Sequence, residues 1–264
     1  MLKFCSLYSG STGNSLLVQT ENTNILIDAG VSTRKIEVAL RELSISPDNI
    51  SAILITHEHS DHVQSVGNLS KKYNIPVFSN EETWIALSDE HKSKIAESNV
   101  NFYVANEKFE IDDLEIFPFS IPHDAANPCG FNILHNKDKF SIATDLGHIS
   151  ASILNKLEGS SFIFLEANYE PEVLKFSKYP YVLKKRIDGP NGHLSNIVAG
   201  KTISSLIPSG LKSVMLGHLS KENNFPELAY KTVVEQLEKS NFSEASISLN
   251  VANRISPSCF INIS

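Results

Sequence analysis

The chain has 264 residues, 41% of them hydrophobic and 20% charged, with a formal net charge of −7. That balance supports a sizeable buried core and excludes an intrinsically disordered chain; no apolar run is long enough to cross a bilayer. The excess of 30 Asp and Glu over 23 Lys and Arg argues against broad nucleic-acid binding, which phosphate neutralisation drives, but leaves room for a local basic patch or for a metal centre that supplies positive charge itself.

The N-terminus, Met1-Leu2-Lys3-Phe4-Cys5-Ser6, lacks a long apolar stretch, so a secretory signal is not expected. Cys5, Cys129 and Cys259 are odd in number and far apart, and form neither a disulfide framework nor a CxxC pair. Reduced thiols in a cytoplasmic setting are the expectation. No repeat, low-complexity tract or linker interrupts the chain, so residues 1–264 read as one domain.

Short apolar segments at 3–8, 15–19 and 24–28, separated by turn residues, predict a meander of strands. Ile36, Ala39, Leu40 and Leu43 share one face of a helix over 33–43. A buried strand at 51–55 then runs into His57-Glu58-His59-Ser60-Asp61-His62, with a helix starting near His62. Residues 76–78 read as a short parallel strand and 81–91 as a helix. Strands follow at 115–119, 130–134 and 140–143, with Asn136-Lys137-Asp138 as a turn. Later strands are expected at 162–165 and 214–217, and helices at 193–206 and 226–237. On the last of these, Ala229, Val233 and Leu237 form an apolar stripe that belongs to the core. Strands followed by alternating helix and strand, repeated in the two halves, suit two sheets packed face to face with helices outside. In such a sandwich the strand ends of both halves converge at one rim.

Three imidazoles and a carboxylate within six positions, at the end of a buried strand, point to metal binding. A strand end lets a rigid scaffold aim several donors at one point, and nitrogen and oxygen donors together suit zinc or manganese. A two-metal site needs further ligands, and three residues share the same context. His123 follows Phe119-Ser120-Ile121-Pro122, Asp145 ends Phe140-Ser141-Ile142-Ala143-Thr144, and His218 ends Ser213-Val214-Met215-Leu216-Gly217. His91, His135 and His148 lack it and read as surface histidines.

The order Asp28, HxHxDH, His123, Asp145, His218 resembles the metallo-β-lactamase superfamily over essentially the whole chain. The resemblance implies an α+β fold, the four-layer αβ/βα sandwich, with a dinuclear site along one edge. It implies that His57, His59 and His123 hold one ion, that Asp61, His62 and His218 hold the other, and that Asp145 bridges them. Asp28 would orient a ligand histidine by accepting its other N–H. Zinc, manganese or iron would satisfy such ligands.

Smaller motifs resemble the WalJ/YycJ group of that superfamily, which is associated with 5′→3′ exonuclease action on DNA. They are Tyr8-Ser9-Gly10-Ser11-Thr12-Gly13-Asn14-Ser15, Leu165-Glu166-Ala167-Asn168, the run from Tyr179-Pro180 to Lys184-Lys185-Arg186, Gly192-His193-Leu194-Ser195-Asn196, and Gly217-His218-Leu219-Ser220-Lys221-Glu222-Asn223-Asn224. Tyr169 departs from the group, where histidine is common.

The activity so implied is a phosphodiesterase in which two divalent ions activate a water to hydroxide. His193 would open a helix and protonate the leaving oxygen, and Glu166 would raise its basicity; with the ligand Asp61 these are the expected catalytic groups. Gly10, Ser11, Gly13 and Asn14 form a loop that either approaches a phosphate through its amides or simply connects two strands. Asn168, Lys184, Lys185 and Arg186 are the remaining candidate phosphate contacts. No aromatic run suggests base stacking, so DNA, ahead of RNA, would be held through its backbone, without any membrane association. The alternatives are a small-molecule hydrolase of the same fold, acting on a cyclic phosphodiester, a thioester or a lactone, and a non-catalytic metal sensor or scaffold.

Overall fold

A computed structural model of the protein describes residues 1–263. Its architecture is two seven-stranded mixed sheets packed face to face, each covered on its outer side by helices.

The first sheet begins as the predicted meander: β1 (Leu2–Tyr8), β2 (Ser15–Gln19) and β3 (Asn24–Ile27) pair antiparallel. Helix α1 (Thr33–Glu42) then crosses to β4 (Ala52–Leu54), which lies parallel to β3. The helical turns α2 (Ser60–Val63) and α3 (Val66–Tyr73) lead to β5 (Val77–Ser79), parallel to β4. The segment read as one helix over 81–91 is two, α4 (Glu81–Ala86) and α5 (Asp89–Lys92). Ser88 breaks it by accepting from the His91 amide as an N-cap, which offers the backbone a fresh start in place of continuation. Strand β6 (Val100–Phe102) completes this edge.

The second sheet takes β7 (Phe109–Ile111), β8 (Leu114–Ser120), β9 (Cys129–His135) and β10 (Asp138–Ala143) as an antiparallel ladder. Helix α6 (Ala151–Leu157) precedes β11 (Phe162–Glu166), which is parallel to β10. The short helices α7 (Pro171–Phe176) and α8 (Tyr181–Ile187) follow, then α9 (Asn196–Leu206). The last helix begins three residues after the expected His193, because the Ser195 hydroxyl caps it by accepting from the Val198 amide. Strand β12 (Ser213–Gly217), helix α10 (Pro226–Lys239) and strand β13 (Ser248–Val251) extend the sheet in parallel. Finally β14 (Ile261–Ile263) returns to pair with β1.

Period-two alternation divides the apolar residues between layers. Phe4, Ile25, Ile27 and Leu54 meet Phe131, Phe140, Phe162 and Phe164 between the sheets. The Phe4 ring stands 4.9–5.2 Å from three of these phenylalanines, so the first strand plugs directly into the second sheet. Residues of opposite phase, such as Leu26 and Ile53, pack under α1 and α3; Ile163, Leu165, Val214 and Leu216 pack under α6, α9 and α10.

This packing leaves the C-terminal ends of β3, β4, β10, β11 and β12 on one rim, the usual place for a site on parallel strands. Asp28, Asp145 and His218 lie just past three of these ends, and all three adopt left-handed backbone, with φ of 61°, 58° and 55°. That conformation costs on the order of 1 kcal/mol for a residue with a side chain. Here it turns the chain sharply off the strand.

Candidate metal centre

Thr56 leaves β4 with its N–H donating to Asp28 Oδ1 at 2.9 Å and its hydroxyl to Asp28 Oδ2 at 2.8 Å. One carboxylate thus fastens the ends of two neighbouring strands together. The same Oδ2 lies 2.7 Å from His62 Nδ1, so His62 turns its Nε2 toward the rim cavity. The Thr56 hydroxyl is also 2.9 Å from His57 Nδ1. Thr56 was not singled out in the sequence; its place immediately before the histidine cluster was the available signal.

The remaining imidazoles are aimed in the same way. His123 Nδ1 donates to the Gly192 carbonyl at 3.1 Å, and His218 Nδ1 lies 2.8 Å from Glu166 Oε1. Ser9 accepts from the His218 amide at 2.7 Å, a contact between first and last thirds of the chain that the sequence did not reveal. His123 and His218 therefore have Nδ1 tethered and Nε2 unpartnered among the described residues, which is how ligand histidines are held, while His57 Nε2 and His59 Nδ1 lie 3.1 Å apart.

At the cavity, ligand-type atoms of His57, His59 and His123 all lie within 4.8 Å of one another, and so do those of Asp61, His62 and His218. Asp145 stands between the two triads. Its Oδ1 is 3.3 Å from His218 Nε2 and 3.9 Å from His123 Nε2, and its Oδ2 is 3.4 Å from His62 Nε2. His123 Nε2, Asp145 Oδ2 and His218 Nε2 are buried with no hydrogen-bond partner among the described residues. Leaving such atoms unsatisfied is costly, so three of them facing one cavity fit a cation: the arrangement can hold divalent metal.

The electrostatics agree. Burial alone suppresses imidazolium, and it holds His57 well below the usual histidine range, helped by the neighbouring imidazoles. At His62 burial acts the same way, but Asp145, Asp28 and Asp61 outweigh it and push the pKa up to about 9. His218 rises for the same reason through Asp145, Asp61 and Glu166. A buried cluster so rich in carboxylate attracts positive charge, whether protons or metal.

His193 stands beside the two triads, its ring centroid 5.2 Å from His123 and 5.4 Å from His218. Its Nδ1 lies 2.8 Å from Glu166 Oε1, the oxygen that also holds His218. Glu166 Oε2 accepts from the amides of Leu146 and Leu194 at 3.1 and 3.0 Å. Burial opposes imidazolium at His193, and Glu166 raises it above the ordinary value.

The expected phosphate contacts fare differently. Gly10 and Gly13 adopt φ of 150° and 147°, but their amides are used internally, donating to Asn14 Oδ1 and to the Gly10 carbonyl. Asn14 is buried; its N–H donates to the Asp61 carbonyl, its own carbonyl accepts from Gly30, and its Nδ2 is 3.2 Å from His62 Nε2. The loop thus braces the Asp61-His62 turn, and only Ser11 and Thr12 are exposed at its tip. Asn168 is buried too, and its side-chain amide donates to the His218 carbonyl at 2.8 Å. Lys184 donates to the carbonyls of Lys175 and Ser177, and Arg186 is paired with Asp124 at 2.6 Å. Of the basic run, Lys185 keeps an exposed ammonium, 5.7 Å from the Tyr181 ring centroid. Tyr169 is buried and donates its hydroxyl to Asp188.

Comparisons with known proteins agree with this fold. The sequence model described as the metallo-beta-lactamase superfamily matches residues 8–188. The chain is 37% identical over 236 residues to exodeoxyribonuclease WalJ of Streptococcus pneumoniae strain D39, covering 89% of this chain and 88% of that one. It is 35% identical over 241 residues to exodeoxyribonuclease YycJ of Bacillus anthracis, covering 91% of each. The crystal structure of the metallo-beta-lactamase fold protein YhfI from Bacillus subtilis superposes with a TM-score of 0.70 at 13% identity, covering 98% of this chain and 100% of that one.

Proposed function

The chain belongs to the metallo-β-lactamase superfamily, and from that premise we propose that it is a metal-dependent exodeoxyribonuclease working from the 5′ end of DNA. The observation that carries the hydrolytic reading is the convergence of His57, His59, His123, Asp61, His62, His218 and Asp145 in one cluster at the rim. The substrate class rests on similarity to chains named exodeoxyribonucleases along about nine-tenths of the length.

His57, His59 and His123 would hold one divalent ion, and Asp61, His62 and His218 a second, with Asp145 shared between them. Two such ions, when bound, lower the pKa of a water molecule toward neutrality and offset charge on the phosphoryl oxygens. The residues of the chain do the rest. Asp28 and Thr56 lock the rings of His62 and His57, so the donor geometry exists before substrate arrives. Glu166 fixes His193 through Nδ1, leaving its other ring nitrogen to carry a proton to the leaving oxygen. Because Glu166 Oε1 holds His193 and His218 together, it fixes the proton carrier relative to a metal ligand. Zinc, manganese and iron all suit this nitrogen and oxygen set.

The test is to incubate protein with end-labelled duplex and single-stranded DNA and either manganese or zinc. Progressive release of mononucleotides from the 5′ end is expected. Turnover of a small phosphodiester, thioester or lactone without any DNA cleavage would instead assign a small-molecule hydrolase, and inertness of metal-loaded protein toward all of them would assign a sensor or scaffold.

A further inference from the structure

Helices α7 and α8, with the turn between them, cover residues 171–187, which contain five cations and a single carboxylate in a chain of net charge −7. Phe176, Tyr181 and Val182 are 77%, 72% and 78% exposed, an unusual concentration of bare apolar side chains. Between the helices lies a cleft of about 450 Å³, large enough for a nucleotide. Tyr169 and Leu174 are buried in its wall, and Tyr181, Lys175, Lys184 and Lys185 line it together with Glu172 and Asp188, with Lys175 Nζ 3.6 Å from the Glu172 carboxylate.

This cleft is fastened to the metal centre. The carbonyl of Ile187, the last residue of α8, accepts from the His193 amide at 2.9 Å. Arg186 pairs with Asp124, the neighbour of His123, and Gly192 holds His123 itself. Tyr181 opens α8, so it sits about 9 Å along the helix from Ile187, a short step from the reacting centre.

We propose that the cleft between α7 and α8 is a nucleotide subsite of this centre, in which a base of single-stranded DNA stacks on Tyr181 while Lys185 and Lys175 neutralise the flanking phosphates. The inference rests on the nuclease reading above. Lys185 is 5.7 Å from the Tyr181 centroid and leaves the ring largely exposed for a base. Stacking on an aromatic face is indifferent to base identity, as degradation of arbitrary sequence requires. A second copy of the chain fits less well, since a two-fold contact would set these lysines against themselves.

The test measures binding of a short phosphorothioate oligothymidylate to metal-loaded protein by fluorescence anisotropy. Tyr181→Ala should raise Kd roughly 5- to 100-fold, and Tyr181→Phe should restore tight binding, since the ring is kept. Lys185→Ala should lower the slope of log Kd against log salt by about 0.7. The distant exposed Ile85→Ala is the control, with no change expected. Tyr181→Ala binding within twofold of wild type overturns the subsite, as does light scattering showing that the substitution breaks up an oligomer. Wild-type protein that binds this strand yet hydrolyses no DNA with any metal overturns the nuclease reading, and the Tyr181 series then decides the subsite separately.

Discussion

Glu166 accepts from two imidazoles through a single oxygen, while its other oxygen is held by two backbone amides. In the proposed mechanism this carboxylate supports both the metal ligand His218 and the proton carrier His193, and substitutions separate it from its two partners. His193→Ala should cut turnover by about 10²–10⁴-fold with metal content by mass spectrometry unchanged; lost metal would move His193 into the ligand set. Glu166→Gln should lower both turnover and metal affinity, because His218 loses its anchor as well. Asp28→Asn weakens the hold on His62 Nδ1 and should reduce metal affinity about 10–100-fold in a chelator competition, whereas unaltered affinity would make Asp28 only a brace between strands. That these donor residues come together was legible because they follow the ends of apolar strands. The shared role of Glu166 and the tethers from Thr56, Ser9 and Gly192 were not, since they join residues up to 209 positions apart.

At the scale of elements, turns off the strand ends decide where donors point. Gly30, two residues past the left-handed Asp28, packs so closely on the α2 turn that a Cβ there would meet the Asp61 carbonyl oxygen at 1.6 Å. Gly30→Ala must push that turn away. We expect a loss of roughly 3 kcal/mol or more in urea denaturation, together with loss of metal; native stability and full metal content would show that the loop yields freely. Strongly patterned elements were readable from the chain: the opening meander, the parallel strands β4, β5, β11 and β12, and α10 stand within two residues of where the sequence put them. Strands β6, β7, β13 and β14 were not read: they have three or four residues each, and neighbouring strands rather than local propensity make them. Helices α6, α7 and α8, also unread, have six or seven residues, about two turns each. The split between α4 and α5, and the start of α9 after His193, each turned on a capping serine, Ser88 and Ser195 respectively. The basic run was read as a phosphate contact, but its geometry ties back Lys184 and Arg186 and leaves Lys185 beside Tyr181, an aromatic contact that no run in the sequence announced.

For the whole molecule, the two sheets supply complementary halves of one cage. β3 and β4 deliver Asp28, His57, His59, Asp61 and His62, and the second sheet delivers His123, Asp145, Glu166 and His218. Phe4, set among the phenylalanines of the opposite sheet, helps to fix the distance between the halves. Binding of ions to the folded cage alone must then stabilise the entire chain, by about 2.7 kcal/mol at a free metal concentration one hundred times Kd. Chelation should accordingly lower Tm by several degrees, reversibly on adding zinc or manganese, and an unmoved Tm would mean that the donor atoms do not act together. The most direct measurement is anomalous diffraction from crystals of the metal-loaded protein. The account predicts two peaks about 3.5–4 Å apart, one against His57, His59 and His123, the other against Asp61, His62 and His218, with Asp145 touching both. A cavity without metal, or peaks only outside these residues, would contradict it.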